Sequence, residues 1–237
     1  MKRVKPVEGG IYHIFNRGVD KRRVFMEEKD YFRFIHDLWE FNDWAPAPSS
    51  FFHKKSFTTS EVKPPNDFTD GSRGEKGSLV EILAYCLMPN HYHLMLRQKV
   101  ENGISDFMRK VGTGYTVFFN QKHKRTGTLL DGTYKIAEIE EQKHFIYLPY
   151  YIHLNPLDLK FPEWREGKIK NSKEAIKFLE EYRWSSHLDY LGKENFPSVI
   201  KKNFLQKIFG GETKYKKSFE KWLEDLGPAK FQGLDFE

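Results

Sequence analysis

The stretch Val80-Glu81-Ile82-Leu83-Ala84-Tyr85-Cys86-Leu87-Met88-Pro89-Asn90-His91-Tyr92-His93-Leu94-Met95-Leu96-Arg97 decides the architecture. It reads as two strands, 80–88 and 91–97, because β-branched, aromatic and long apolar side chains fill one strand length and then resume after a break. Met88-Pro89-Asn90 marks the corner between them, with proline and asparagine supplying the turn chemistry. On the second strand His91 and His93 are separated by one residue. Strand side chains alternate faces, so both imidazoles leave the same side of the sheet.

Working upstream, residues 10–18 (GIYHIFNRG) form another aromatic and β-branched run ending in glycine, a third strand. Between it and the hairpin, Phe32, Phe34, Ile35, Leu38 and Trp39 recur at helical spacing, which predicts a helix from Glu27 to about Phe41. From Trp44 to Ser78 four prolines fall among Ser, Thr, Gly and Lys, the signature of a long loop or insertion inside one domain. Downstream, Ile104, Phe107, Met108, Val111, Tyr115, Phe118 and Phe119 stripe a helix over 103–122, broken at Arg125-Thr126-Gly127. A strand from Leu129 to Ile139 and a helix from Glu141 to Leu154 follow, the helix stopped by Pro156. The order is β-α-β-β-α-β-α. Its first six elements predict an α+β fold, a ferredoxin-like (RRM-like) antiparallel sheet with helices on one face. The expected division is a domain over 1–160 with its insertion at about 44–78, then a helical C-terminal extension over 161–237. Helices are expected there at 175–182 and 202–226, with punctuation at Gly192, Pro197 and Gly210-Gly211.

Composition narrows the function classes. The chain has 237 residues, 39% hydrophobic and 30% charged, a globular composition and not a disordered one. Its one cysteine, Cys86, excludes an internal disulfide and a cysteine-based zinc finger. No apolar run approaches a bilayer span, and the basic N-terminus leads into no signal-like apolar segment. The expectation is a cytoplasmic protein without membrane association. Thirty-nine Lys and Arg against 33 acids give a net charge of +6, a bias toward polyanions.

Two neutral imidazoles on one sheet face can chelate a divalent cation, although on spacing alone strand histidines are more often packed or surface residues. Some sixty residues on, Tyr151 and Asn155 stand at i and i+4, on one face of the predicted helix. A phenol has a pKa of about 10, so it is a weak nucleophile until a cation favours the phenolate. An asparagine carbonyl oxygen is a hard donor suited to Mg²⁺ or Mn²⁺. By periodicity alone these two read as a core aromatic and a helix stop. Arg17, Lys21, Arg22 and Arg23 follow the first strand. Arg109, Lys110, Lys122, Lys124 and Arg125 flank the second helix and its end. Singly they are solvated charges; grouped beside aromatics they suit a single-stranded or hairpin nucleic-acid backbone. The remaining histidines, His13 and His153 among them, show no convergent spacing and read as structural, and Cys86 reads as inert.

Met88-Pro89-Asn90-His91-Tyr92-His93-Leu94 resembles the HUH signature (His, bulky hydrophobic, His) of single-tyrosine transposases of the IS200/IS605 type. Tyr151-Ile152-His153-Leu154-Asn155-Pro156 resembles the tyrosine helix of the REP-associated branch, which carries Asn where insertion-sequence members carry Gln. Further resemblances are Phe15-Asn16-Arg17-Gly18 with Val24-Phe25, then Arg125 to Lys135, then Tyr182 to Gly192, so that the likeness spans residues 8–192. Thr133 departs from the arginine usual there, and the tail after Gly192 has no counterpart.

The resemblance implies a DNA strand transferase or nickase acting on single strands near hairpins. By position Tyr151 is the nucleophile of a 5′-phosphotyrosine intermediate. His91, His93 and Asn155 surround one Mg²⁺ or Mn²⁺. Arg17, Arg22, Arg23, Arg109, Lys110, Lys124, Arg125 and Lys135 are the DNA-binding candidates. Tyr150, Tyr147, Tyr134 and Tyr115 compete with Tyr151 for the nucleophile's role. The alternatives are a catalytically silent DNA- or RNA-hairpin binder on the same scaffold, a metal-dependent hydrolase that activates water, and a structural zinc site lacking two further ligands. Family members are monomers or homodimers.

Overall fold

A computed structural model describes residues 4–45, 77–139 and 142–224. Most of the expected insertion, 46–76, lies outside them, as does the end of the tail.

Four strands form one antiparallel sheet: β1 Ile11–Arg17, β2 Val80–Met88, β3 His91–Gln98 and β4 Lys135–Glu138, in the order β2-β3-β1-β4. The chain is α+β, as its pattern predicts. β1 lies antiparallel between β3 and β4, with Phe15 opposite His93 and Arg17 opposite His91. β4 is shorter than the expected 129–139 strand. Gly132 at φ 65° turns the chain, so only an isolated bridge, Gly18 to Leu130, precedes the ladder.

Alternation sorts the sheet's two faces. Tyr12, Ile14, Tyr92, Leu94 and Leu96 pack with helices α1 (Glu28–Glu40) and α2 (Gly103–Lys122). Glu27 and Asp30 form a capping box at the start of α1. Asp30 also accepts from Lys122 Nζ (2.6 Å), which ties that start to the end of α2.

The opposite face, with Ala84, Cys86, Met88 and Met95, is covered by α3 (Gln142–Leu154) and by the C-terminal elements. These are α4 Ser172–Glu181, α5 His187–Tyr190, α6 Asn203–Phe209 and α7 Glu212–Glu224. The helix expected over 202–226 is two helices, because Gly210 and Gly211 take φ of 76° and 97°, which ends α6. Tyr150, Leu179, Leu205, Tyr215, Phe219 and Trp222 share one buried cluster with the sheet residues of this face. The extension therefore supplies the second layer over the sheet.

Trp184-Ser185-Ser186 does further work at the edge of the sheet. Leu87 N–H donates to Trp184 O (2.9 Å), Ser186 N–H donates to Tyr85 O (3.0 Å), and Cys86 bridges antiparallel to Ser185. The otherwise open edge of β2 is thus paired.

A buried polar network binds α7 to α3. His153 Nδ1 and His187 Nδ1 lie 2.7 and 2.8 Å from Tyr215 Oη, and His153 Nε2 lies 2.8 Å from Ser186 Oγ. A hydroxyl has one proton, so it donates to one imidazole and accepts from the other.

Candidate functional site

The antiparallel register places His91 and His93 beside β1. Their rings lie perpendicular with centroids 5.0 Å apart. His91 Nδ1 is 2.7 Å from Asn90 Oδ1, so in the tautomer this contact selects Nδ1 carries the proton. His93 Nδ1 is 2.9 Å from Nε2 of His13, two residues before Phe15 on β1 and stacked on His93 with centroids 5.1 Å apart. His93 Nε2 is buried without a hydrogen-bond partner. An imidazole held through Nδ1, with a buried and unsatisfied Nε2, has the form of a metal ligand fixed from behind. The pair fits a divalent cation. Among the described residues no group of three or more His, Cys, Asp or Glu gathers around one point, so further donors would come from elsewhere.

Tyr151 approaches the same histidines from α3. Its ring meets His93 edge-on at 5.8 Å between centroids and His13 at 6.2 Å. Tyr150, one residue earlier, faces away. It stacks on Tyr215 and Trp222 in the tail. The 100° step of the helix thus separates a tyrosine of the site from one of the core. Tyr147 lies against Trp222, and Tyr115 is buried with its hydroxyl on Val24 O. Tyr134 is outside the site, 3.4 Å from Ser105 Oγ.

Asn155 is fully buried at the end of α3. Its Nδ2 donates to Tyr151 O (2.8 Å), closing one of the carbonyls a helix end leaves over. Its Oδ1 accepts from Arg165 Nη2 (3.3 Å).

Arg165 lies in a 3-10 turn, Pro162–Glu166, and no motif points to it. Its Nε and Nη2 grip Asp158 at 2.9 and 2.7 Å, and its Nη1 donates to Tyr151 Oη (3.4 Å). Burial alone would lower its pKa, but Asp158 and Tyr151 outweigh that and raise it, so the guanidinium stays charged. Asp158 also accepts from Trp164 Nε1 (2.6 Å). Both Arg165 and Asp158 were invisible to pattern reading because their partners are brought together by two tight turns without periodicity. His13 carried a weak signal, since it shares a strand face with Phe15 and Arg17.

Beside these residues opens a cavity of about 280 Å³ lined by Phe15, Arg17, Lys21, Asn90, His91, His93, Lys135, Asp158 and Arg165, among others. Two DNA-binding candidates, Arg17 and Lys135, reach it. Lys135 Nζ stands 5.7 Å over the Phe15 ring, and exposed Arg17 pairs with Asp131 at 3.2 Å. Arg22 bonds Val19 O and Asp20, and Arg23 and Lys124 are exposed. Arg109 is exposed on α2 and lines a separate cavity of about 690 Å³ with Tyr134 and Thr133. Arg125 bonds Asn120 Oδ1 and Thr128 O. Lys110 does not join the group. It is buried, and its ammonium donates to the carbonyls of Asp43 and Ala45, so it anchors the chain after α1.

Burial lowers the pKa of four histidines: His13 and His187 to about 3, His93 and His153 well below the usual value. Unfolded, each titrates near 6.5. Below that pH the unfolded chain binds protons that the native imidazoles refuse, so each costs about 1.4 kcal/mol of stability per pH unit. Asp189, raised to about 6 by burial, and Asp37, also raised by burial, work in the opposite sense. Four imidazoles against two carboxyls leave a net loss. We expect the urea midpoint to be highest above pH 6.5 and to fall steadily toward pH 5. A midpoint that is flat or rises over that range would contradict the buried, neutral assignment.

Residues 74–155 match the family model described as "Transposase IS200 like". A solved structure, "Structure of the REP associates tyrosine transposase bound to a REP hairpin", aligns with TM-score 0.48 and 12% identity, covering 84% of this chain and 89% of that one. No curated protein sequence matches significantly. Among the described residues no helix is long and apolar enough to cross a membrane.

Proposed function

Given that residues 74–155 match IS200-like transposases, we propose that the protein cleaves and rejoins single-stranded DNA beside hairpins through a 5′-phosphotyrosine at Tyr151. The observation that carries this reading is the contact of Tyr151 with His93, which with His91 lines a cavity that Arg17, Lys21 and Lys135 also line. A packed core needs neither a buried unsatisfied imidazole nitrogen nor cations converging on it.

In the transfer, Oη of Tyr151 attacks the scissile phosphorus and the Oη–P bond forms as the P–O3′ bond breaks. The phenol gives up its proton and the departing O3′ takes one, so the step is proton-neutral overall. The phosphodiester is conserved as a phosphotyrosine, and a 3′-OH can later reverse the step without ATP. His91 and His93 would hold Mg²⁺ or Mn²⁺, which supplies Lewis-acid polarisation of a non-bridging oxygen. Asn90 and His13 keep the two imidazoles in the required tautomer. Arg17, Lys21 and Lys135 neutralise the backbone entering the cavity, and exposed Arg22, Arg23 and Lys124 extend that surface. The hairpin as partner follows from the resemblance of the Tyr151–Pro156 helix to the REP-associated branch.

The test uses single-stranded hairpin oligonucleotides from the DNA flanking the gene, with Mn²⁺ or Mg²⁺, on denaturing gels. A covalent protein–DNA band is expected with metal and not with EDTA. His91→Ala should lower its rate at least about 100-fold at fixed metal, the scale of losing an electrostatic stabiliser. Tight binding with no band on any flanking hairpin would favour the silent binder, and cleaved product without adduct would favour the hydrolase.

A further inference from the structure

Arg165 is held on several sides at once. Asp158 takes two edges of its fork, and Trp164 Nε1 fixes Asp158 in turn. What this clamp presents is one guanidinium nitrogen on Tyr151 Oη and another on Asn155 Oδ1. The guanidinium carbon lies 5.7 Å from the Tyr151 ring centroid and 4.9 Å from that of Trp164. Arg165 and Asp158 line the cavity that holds His91 and His93, whereas Tyr151 is 4% exposed and does not. Arg165 therefore stands where the cavity meets the tyrosine.

We propose that Arg165 is a catalytic residue of the transfer reaction, holding Tyr151 Oη in line and contacting a non-bridging oxygen of the scissile phosphate. The inference rests on Tyr151 being the nucleophile. In-line attack brings phosphorus to about 3–3.5 Å from the attacking oxygen. A guanidinium nitrogen already on that oxygen is then within reach of the phosphate's own oxygens. The planar fork suits phosphate, it cannot lose its charge, and Asp158 pre-orders it before substrate arrives. The site would thus act with two cations on one phosphate: the metal on the histidine side and Arg165 on the tyrosine side.

A purely structural reading makes Arg165–Asp158 a staple between the 3-10 turn and α3, and the experiment separates the two. Adduct formation would be timed for wild type, Arg165→Gln and Arg165→Lys on the same flanking hairpin oligonucleotide. The oligonucleotide would be made with oxygen or with either phosphorothioate diastereomer at the scissile phosphate. We expect Arg165→Gln to slow adduct formation about 100-fold, with hairpin affinity and Mn²⁺ affinity (by electron paramagnetic resonance) within threefold. The slowing that sulfur causes in one diastereomer should disappear in Arg165→Gln while that of the other, metal-facing one persists. Arg165→Lys keeps the charge without the fork and should remain at least tenfold slow, which covers the case in which the glutamine variant misfolds. Rates within threefold of wild type overturn the proposal. So does a slow variant that keeps both sulfur effects, because the defect is then structural. No adduct with the wild type removes the Tyr151 reading and this inference with it. An adduct on Tyr151 that ignores Arg165 removes the inference alone.

Discussion

Tyr151→Phe should abolish the covalent DNA adduct, by at least about a thousandfold, while leaving hairpin affinity within about twofold. The substitution removes one oxygen. The ring keeps its edge contact with His93 and its packing on Trp164, while the 3.4 Å contact from Arg165 is lost. A long bond to a half-buried guanidinium is worth about 1 kcal/mol or less, and the melting temperature should barely move. Activity and stability therefore separate in this variant. The adduct is read on denaturing gels, and the linked residue of the wild type by mass spectrometry of the peptide–oligonucleotide. A band of wild-type intensity from Tyr151→Phe would move the nucleophile elsewhere. Tyr134, outside the core and beside the second cavity, would then be the next residue to replace.

The second large effect lies far from the chemistry. Tyr215→Ala should cost about 4 kcal/mol, the range for deleting a buried aromatic ring, out of a total stability of about 5–15 kcal/mol. The ring is fully buried against Tyr150, Tyr190, Phe209 and Phe219. Its hydroxyl also serves His153 and His187 together. Tyr215→Phe keeps the ring and strands both imidazoles, at a cost of about 1–3 kcal/mol. Urea unfolding checks both figures. Because Tyr150 and His153 are α3 residues on either side of Tyr151, loosening their back-packing should also lower adduct yield. If both variants unfold at the wild-type urea midpoint, α7 is not the support that its packing implies.

What could be read from the sequence was whatever obeys a local period. His91 and His93 share a face because strands alternate, and Tyr151 and Asn155 share one because helices turn every 3.6 residues. The register across β1 and β3 and the approach of α3 are not periodic facts, yet they bring Tyr151 to His93. Arg165, Asp158 and His13 were missed for the same reason, since each contacts the site through a partner 7 to 80 residues away without a repeat. β4 was overextended because Leu129 and Leu130 are strand-like residues; the turn at Gly132 overrides them. The tail was legible as helices but not as a layer, because its apolar faces do not say which surface they cover.

The pairing of Trp184–Ser186 with β2 and the docking of α7 on α3 have a consequence for how the chain is made. A ribosome that has just added Asn155 has completed both histidines and the tyrosine, yet α3 has nothing behind it. Thirty further residues must emerge before the β2 edge is closed, and sixty before Tyr215 can reach His153. Domains fold as units once their contacts are available, and contacts this distant in sequence form late. The helix that carries Tyr151 is thus without its backing until those sixty residues have been added. A chain released before Tyr215 should fail to hold α3 on the sheet, whichever of its motifs it already carries.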